Sequence, residues 1–161
     1  MLEVVQKPPV QEKAKYTSQL LSTKELVDKY WGQCIPLFQA CFDRAMDGEM
    51  AIDDLYSRVL QGQTYLIVFK DDELEVPEVR LAMAMEVGYY PQYNVMNISA
   101  IGGKDLKYMI KHCYRDIVGW AKVCGVTKME CLASPAIEKI LSAEGFKRKY
   151  IMLRHDLTEV I

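Results

Sequence analysis

Histidine is nearly absent from this chain of 161 residues, which contains only His112 and His155. A cluster of histidines for metal binding or proton transfer is therefore not expected, and we predict no metal site. Disulfide bonds are not expected either, because the cysteines are odd in number and form no Cys-x-x-Cys motif. We interpret them as small buried hydrophobic residues in a reducing compartment. They are Cys34, Cys41, Cys113, Cys124 and Cys131.

The chain also lacks a long apolar run and a dominant charge. No apolar stretch approaches the roughly 20 residues that cross a bilayer. Lysine plus arginine total 20 against 22 for aspartate plus glutamate, a formal net charge of −2. This balance provides no broad positive field for nucleic acid or for an anionic membrane. We therefore predict a cytoplasmic protein without a membrane partner or a nucleic-acid partner.

Two parts are predicted along the chain, an extended arm over residues 1–20 and a single domain over residues 21–161. The arm contains Pro8-Pro9 and a mixed-charge run without helical or strand periodicity. In the domain, Ser22 or Thr23 caps a first helix, which we expect to kink or split at Pro36. The later pattern predicts a short helix over residues 52–60, strands over 65–69, 79–87 and 93–101, a long helix over 106–124, a strand over 128–132, a helix over 135–143 and a last strand over 149–156.

This order of helices and strands predicts an α/β fold around one mixed sheet. Three consecutive strands with short links form an antiparallel meander. The long helix is then a crossover, which delivers the next strand parallel to its predecessor. The remaining helices flank the sheet.

A strand runs through two glycines directly into the long helix at Ile101-Gly102-Gly103-Lys104-Asp105. The first turn of a helix offers unpaired N–H groups and a partial positive charge, and glycine lets an anion approach the backbone closely. Phosphate or pyrophosphate is the natural guest, and Lys104 adds a positive charge. The same glycines also fit a tight strand-to-helix turn that binds nothing, so both interpretations stay open.

Three segments of the domain carry a family resemblance. They are residues 98–106, the run Trp-Ala-Lys-Val-Cys-Gly-Val at 120–126, and the run Ala-Ile-Glu-Lys-Ile-Leu-Ser-Ala-Glu-Gly-Phe at 136–146. With them, the chain from about residue 53 onward resembles the GNAT superfamily of acetyl-CoA-dependent N-acyltransferases. The resemblance implies a GNAT-like mixed sheet whose central strand opens toward acetyl-CoA, with the turn at residues 101–105 holding the pyrophosphate.

A narrower resemblance concerns residues 53–63 and 102–106. Both runs are similar to small GNAT-like proteins of tailed bacteriophages. Such proteins commonly lie among virion structural genes, so the resemblance implies a place in a phage particle.

Three positions depart from the pattern of the superfamily. Its pyrophosphate turn is a longer glycine-rich loop after an Arg or Gln, whereas here only Gly102-Gly103-Lys104 remains. Active members usually carry a tyrosine, the acid for the departing thiolate, at the position of Leu141. An asparagine usually precedes the last helix, where this chain has Ala133-Ser134-Pro135. The resemblance therefore implies a degenerate site, in which acetyl-CoA binding is either retained or lost.

Acyl transfer needs a base for the incoming amine, an oxyanion donor and an acid for the thiolate. Glu86 is the candidate base, because it lies late in the second strand of the meander near the expected cleft. The alternative, an exposed strand carboxylate without a catalytic role, is the more common situation for such a residue. Tyr89, Tyr90 and Tyr93, here called the tyrosine rim, either replace the missing acid or contact a protein partner.

Two classes of function follow from these observations. The first hypothesis is a non-catalytic structural or interaction protein of a tailed-bacteriophage particle, in the host cytoplasm or the virion. Its protein partner would bind the arm of residues 1–20 and the tyrosine rim. The alternative is an acetyl-CoA-dependent N-acyltransferase acting on a small-molecule or protein amine near Glu86, and an acyl-CoA sensor without turnover fits the glycines as well. The short glycine turn, Leu141 and the arm favour the first hypothesis.

Overall fold

The computed structural model describes residues 16–159 of the chain. Its elements in chain order are β1 (Thr17–Leu20), α1 (Lys24–Ala45), α2 (Ile52–Leu60), β2 (Tyr65–Asp71), β3 (Glu78–Tyr89), β4 (Asn94–Gly103), α3 (Leu106–Val123), β5 (Lys128–Cys131), α4 (Pro135–Ser142) and a 3₁₀ turn at Leu157–Glu159. Every element from α1 to α4 matches a predicted one to within a few residues at its ends.

The five strands form one mixed sheet in the order β1-β2-β3-β4-β5. The first four strands pair antiparallel with their neighbours, and β5 pairs parallel with β4. A parallel pair needs a crossover connection, which α3 supplies between β4 and β5. The predicted α/β fold, an antiparallel meander followed by a parallel strand, is confirmed.

Hydrophobic layers cover both sides of the sheet. On one side, here called the α3 face, Met83 and Met85 of β3 share a buried cluster with residues of α3 and with Leu141 of α4. On the other side, here called the α1 face, Ala82 and Ala84 share a cluster with residues of α1 and α2. Successive residues of β3 thus join opposite layers, as the period of two along a strand requires.

Helix α1 is continuous, so the kink or break predicted at Pro36 is wrong. Thr23 caps the helix as predicted, because its hydroxyl oxygen accepts a hydrogen bond from the N–H of Leu26 at 3.2 Å. Pro36 is exposed, and so is Gly32, whose carbonyl loses its ordinary partner four residues later. Water can satisfy that carbonyl, while the fully buried Phe38 holds the helix against the sheet.

The two ends of the described chain differ from the prediction. The strand predicted over residues 149–156 is wrong, because this segment has no partner strand within the described residues, and ion pairs of Arg148 and Arg154 flank it. At the other end, the last residues of the predicted arm form β1, which is continued by a hydrogen bond of 2.8 Å from the N–H of Leu21 to the carbonyl of Leu66. Residues 1–15 of the arm lie outside the described residues. Within residues 16–159, no helix is long and apolar enough to span a membrane.

Candidate functional site

Strand β4 separates from β5 halfway along its length. The parallel pairing runs from Val95 opposite Lys128 to Ile98 opposite Cys131, where β5 ends. Residues 99–103 continue β4 without a strand partner on the β5 side in the described part of the chain. An unpaired strand edge presents N–H and C=O groups to which a ligand can bind. The early end of β5 therefore leaves a gap in the sheet beside the second half of β4, and this gap is here called the cleft.

A β-bulge at Ser99 lies at the same point. Ala84 of β3 lies opposite Ala100, and Met85 lies opposite Ile98, so Ser99 is the extra residue of β4. The Ser99 hydroxyl donates a hydrogen bond of 3.2 Å to the carbonyl oxygen of Ala84. A bulge bends its strand and increases the local twist. The bend in β4 thus falls where pairing with β5 stops.

Gly102 and Gly103 pack tightly against the protein's own backbone. A Cβ atom on Gly102 would lie 2.1 Å from the carbonyl oxygen of Leu37 in α1, and one on Gly103 would lie 2.3 Å from that of Arg80 in β3. Gly103 also has a φ of +132°, which residues with a side chain rarely adopt. The N–H of Lys104 donates to the same Arg80 carbonyl at 2.9 Å. Contacts with α1 and β3 suffice to explain both glycines, and anion binding at this turn stays a prediction.

The first turn of α3 follows the glycines directly. Asp105 has a left-handed backbone with φ 61°, and its side chain does not cap the helix. The N–H groups of Leu106 and Lys107 consequently have no acceptor within the described residues. The Asp105 carboxylate instead accepts a hydrogen bond of 3.1 Å from the Tyr16 hydroxyl and lies 3.7 Å from the Arg80 guanidinium. Arg80 of β3 thereby partly balances the negative charge of Asp105.

The five predicted cofactor-binding residues lie together at one end of the cleft. Ile101 packs against the α3-face cluster, whereas Lys104 and Asp105 are exposed. The predicted base, Glu86, lies opposite Asn97, on the other side of the bulge. Glu86 and the turn at residues 101–105 thus border different parts of the cleft.

Glu86 belongs to a row of three polar side chains on the α1 face. It lies opposite Asn97 of β4, which in turn lies opposite Glu130 of β5. Their strand neighbours, Met85 and Ile98 among them, belong to the α3-face cluster, so the three polar side chains point the other way. All three are half-buried. The polar row crosses β4 at Asn97, one residue before the last β4–β5 pair at Ile98. It therefore lies beside the opening of the cleft.

Glu86 and Glu130 each accept a hydrogen bond at one carboxylate oxygen, and the other oxygen has no hydrogen bond within the described residues. Arg58 of α2 donates a hydrogen bond to Oε2 of Glu86 in an ion pair. The Tyr90 hydroxyl donates to Oε1 of Glu130 at 2.9 Å, and this bond raises the pKa of Tyr90. A cavity of about 430 Å³ adjoins Glu86, and another of about 510 Å³ adjoins Glu130. The row is therefore accessible from both ends.

Sequence analysis did not identify Asn97, Glu130 or Arg58. Asn97 and Glu130 each interrupt a run of apolar residues within a strand, and this interruption was the available signal. Their position beside Glu86 depends on strand register, which local patterns alone do not determine.

The tyrosine rim lies at the β3–β4 turn, far from the glycines. The 10 residues of β4 separate the two sites, a distance of about 30 Å. The rings of Tyr90 and Tyr93 pack edge to face with centroids 5.5 Å apart, and Nζ of Lys128 lies 3.9 Å from the Tyr93 centroid. Tyr89 is exposed. The rim is an aromatic surface, and its contact with a protein partner stays a prediction.

Leu141 is buried in the α3-face cluster with 1% of its surface exposed. This is the position at which the GNAT resemblance implies a general acid. A leucine side chain has no proton to donate, so the structure supplies no acid at this place. The Phe146 N–H donates to the Leu141 carbonyl at 3.3 Å and closes the turn after α4.

Two of the five cysteines, Cys34 and Cys113, are buried, and the other three are half-buried. All five are free thiols. Burial raises the pKa of Cys34 to about 12 and that of Cys113 to about 11, which disfavours the reactive thiolate. Within residues 16–159, no group of three or more His, Cys, Asp or Glu side chains is placed to hold a metal ion.

The mixed five-stranded sheet with its flanking helices matches the fold of the GNAT acetyltransferases. A GNAT family acetyltransferase from Staphylococcus aureus is 12% identical with a TM-score of 0.60, over 89% of this chain and 99% of that chain. No protein-family model and no curated protein matches the sequence.

Two further solved structures share this fold. A predicted acetyltransferase with acetyl-CoA from Clostridium acetobutylicum is 12% identical with a TM-score of 0.63, over 89% of this chain and 97% of that chain. The aminoglycoside N-acetyltransferase AAC(6')-Iy in complex with CoA is 14% identical with a TM-score of 0.63, over 91% and 97%. At these identities the likeness establishes the fold alone.

Proposed function

We propose that this chain is an N-acyltransferase that binds acetyl-CoA beside residues 99–103 and acylates a primary amine at the polar row. The observation that carries the proposal is the separation of β4 from β5 after Ile98, together with the bulge at Ser99. Two structures of the same fold hold acetyl-CoA or CoA. A ligand with amide groups and a pyrophosphate matches an open strand edge that leads to a helix N-terminus.

The residues of the cleft fit such a ligand. The backbone groups of residues 99–103 that face away from β3 would bind its amides, except at Ile101, whose backbone makes a hydrogen bond to Cys41. The N–H groups of Leu106 and Lys107 would bind a phosphate. The side chains of Lys104 and Lys107 are exposed and have no ion pair in the described part of the chain. Asp105, the nearest acid, is paired with an arginine of β3. The turn therefore carries excess positive charge, which favours an anion.

The polar row provides the groups that act on the amine. Acetyl-CoA would supply the acyl group as a thioester, and its C–S bond would break as the amide forms, so that CoA leaves as a thiolate that takes its proton from solvent. Glu86 is the proposed base, because Oε1 remains available for the amine proton while Oε2 binds Arg58. Glu130 is the second carboxylate, which attracts and orients the positively charged amine. Unpaired N–H groups of β4 beyond Ser99 are the donors for the oxyanion.

A second candidate function is binding without turnover, either of an acyl-CoA or of a protein partner. Leu141 favours this candidate, because it removes the acid that the GNAT resemblance implies. A role in a phage particle and partner contacts through residues 1–20 also stay hypotheses. The three structures described above are named as acetyltransferases and not as virion proteins.

Calorimetric titration of the full chain with acetyl-CoA and with CoA tests the cofactor. We expect both to bind, because both present the pyrophosphate to the same turn. The absence of binding at millimolar ligand would overturn the acyltransferase proposal and leave the partner-binding candidate.

Turnover with a panel of primary amines then separates catalysis from binding. We expect kcat to fall about 100- to 10,000-fold in Glu86→Gln, KM for the amine to rise in Glu130→Gln, and neither to change in Glu75→Gln, an exposed acid on the β2–β3 connection. Equal kcat in wild type and Glu86→Gln would show that Glu86 is not the base. Cofactor binding without turnover of any amine would favour the second candidate.

A further inference from the structure

The polar row has a carboxylate at each end, and each carboxylate keeps one oxygen without a hydrogen bond within the described residues. Glu86 of β3 and Glu130 of β5 lie on either side of Asn97 of β4. Two strand spacings separate the acids, a distance of about 10 Å. Asn97 is uncharged, and Arg58 is the one cation that forms an ion pair with the row in the described part of the chain. The row therefore carries one negative charge in excess.

At the Glu86 end, the hydroxyl group of Thr64 is buried without a hydrogen-bond partner. Thr64 is 3% exposed, and its Oγ1 accepts and donates no hydrogen bond within the described chain. Extension of the β2–β3 pairing by one residue places Thr64 beside Glu86. Leu66 belongs to the α1-face cluster, so the strand period of two puts Thr64 on the face of the polar row. Buried hydroxyls are normally hydrogen-bonded, and this end of the row therefore lacks a polar partner that a ligand can supply.

The Glu130 end adjoins an aromatic cavity. Besides Glu130, this cavity of about 510 Å³ is lined by Tyr90, Tyr93 and Tyr150. Nζ of Lys128 lies 3.9 Å from the centroid of the Tyr93 ring, so this ring already faces an ammonium group. The rings of Tyr90 and Tyr150 have no cation over them within the described chain. A carboxylate beside aromatic rings is a combination that binds an organic cation.

We propose that the polar row is a binding site for a linear diamine, with one ammonium group at Glu86 and the other at Glu130. With each nitrogen about 3 Å from its carboxylate, the two nitrogens lie roughly 5–10 Å apart, the span of about four to six methylene groups. The Thr64 hydroxyl is the further acceptor for the first ammonium group. The inference rests on the proposed function for the fate of the first nitrogen, which is acylated at Glu86. The second ammonium group takes no part in the acyl transfer and determines which amines bind.

Calorimetric titration of the full chain at low salt with cadaverine and with pentylamine tests this site without turnover. The two probes have the same carbon chain and differ by one ammonium group. We expect the wild type to bind cadaverine about tenfold more tightly, because the second ammonium group adds a charge-assisted hydrogen bond. Glu130→Gln should abolish this preference, whereas Glu144→Gln, at a half-buried acid after α4, should retain it as the matched control.

A conservative substitution tests the other end of the row. Thr64→Val removes a hydroxyl that has no partner in the described chain, so we expect no loss of stability in urea unfolding. It should nevertheless weaken the binding of both amines, because both place an ammonium group beside Glu86. A purely structural role of Thr64 would not give this combination.

The outcomes separate the diamine site from the proposed function. A preference for cadaverine in the wild type and in Glu144→Gln, lost in Glu130→Gln, would support the site. Equal affinity for the two amines, an unchanged preference in Glu130→Gln, unchanged binding in Thr64→Val, or no binding of either amine at millimolar concentration would overturn it. Acylation of both amines with equal kcat/KM would contradict the diamine site and leave the acyltransferase proposal. Selective binding of cadaverine without acylation would support the diamine site and contradict the acyltransferase proposal.

Discussion

Replacement of Gly102 by alanine is a direct test of how α1 packs on β4. The added Cβ would lie 2.1 Å from the carbonyl oxygen of Leu37 and 2.5 Å from its carbonyl carbon. Real Cβ atoms essentially never come within 3.0 Å of another heavy atom, and both of these atoms belong to the backbone of a helix of 22 residues. No side-chain rotation can relieve the collision. The helix and the strand would therefore have to separate by roughly 1 Å.

That separation would open the layer in which Phe38 of α1 and Ala100 of β4 are buried. Overpacking a core typically costs about 1–3 kcal/mol. Because backbone atoms of two elements collide at Gly102, we expect the free energy of unfolding to fall by about 3 kcal/mol, at the upper end of that range. For a chain of this length, the corresponding fall in Tm is roughly 6–12 °C.

Urea unfolding followed by circular dichroism measures this loss. Gly119→Ala is the matched control, because a Cβ at that position inside α3 meets no atom within 4 Å. The higher helix propensity of alanine should there stabilise the protein by about 0.5–1 kcal/mol. A Gly102→Ala variant within about 1 kcal/mol of the wild type would refute the packing argument. The glycine would then need another cause, such as the close approach of a ligand.

Three further predictions concern the core and the segment after α4. Leu141→Tyr places a larger side chain in the α3-face cluster, so we expect about 1–3 kcal/mol less stability in urea unfolding. Burial raises the pKa of Cys34 to about 12 and of Cys113 to about 11, so peptide mass spectrometry should find both labelled by a thiol reagent only as the chain unfolds. The hydrogen bond from Arg154 lowers the pKa of Glu49 below its usual 4.5, so this contact contributes above pH 4.5 and is lost as the pH falls through the lower folded-state value. The midpoint of the Glu49 carboxylate in an NMR titration should therefore lie below 4.5 in the wild type and rise in Arg154→Gln.

Elements with a strong local pattern could be predicted from the sequence. The long helix expected over residues 106–124 is α3, because its apolar residues recur at helical spacing and a glycine follows its end. The error at Pro36 has a physical reason, since its lost hydrogen bond faces water and buried neighbours hold α1 together. The wrong prediction of a strand at residues 149–156 has a different physical reason. A strand needs a partner as well as suitable residues, and local composition does not reveal whether a partner exists.

The site was harder to predict than the fold, because it depends on register. Glu86 could be singled out as a carboxylate late in a strand, yet its row with Asn97 and Glu130 exists only through pairing across three strands. A shift of one residue would move these side chains to the opposite face. The role of Gly102 depends likewise on Leu37, which is distant in sequence. Spacing within one segment contains no information about such contacts.

Cofactor binding and catalysis rest on different kinds of structure in this fold. The end of β5 at Cys131 and the bulge at Ser99 are backbone features, set by strand length and register, so few single substitutions would remove the cleft. Proton donation to a thiolate needs one hydroxyl at one place, and Leu141 provides none there. Under the proposed function, the absence of that hydroxyl would affect catalysis and would leave the cleft intact. Titration with acetyl-CoA or CoA therefore tests binding at the unpaired edge of β4, whereas turnover of primary amines tests catalysis at the polar row. Binding in the first assay would not establish catalysis in the second.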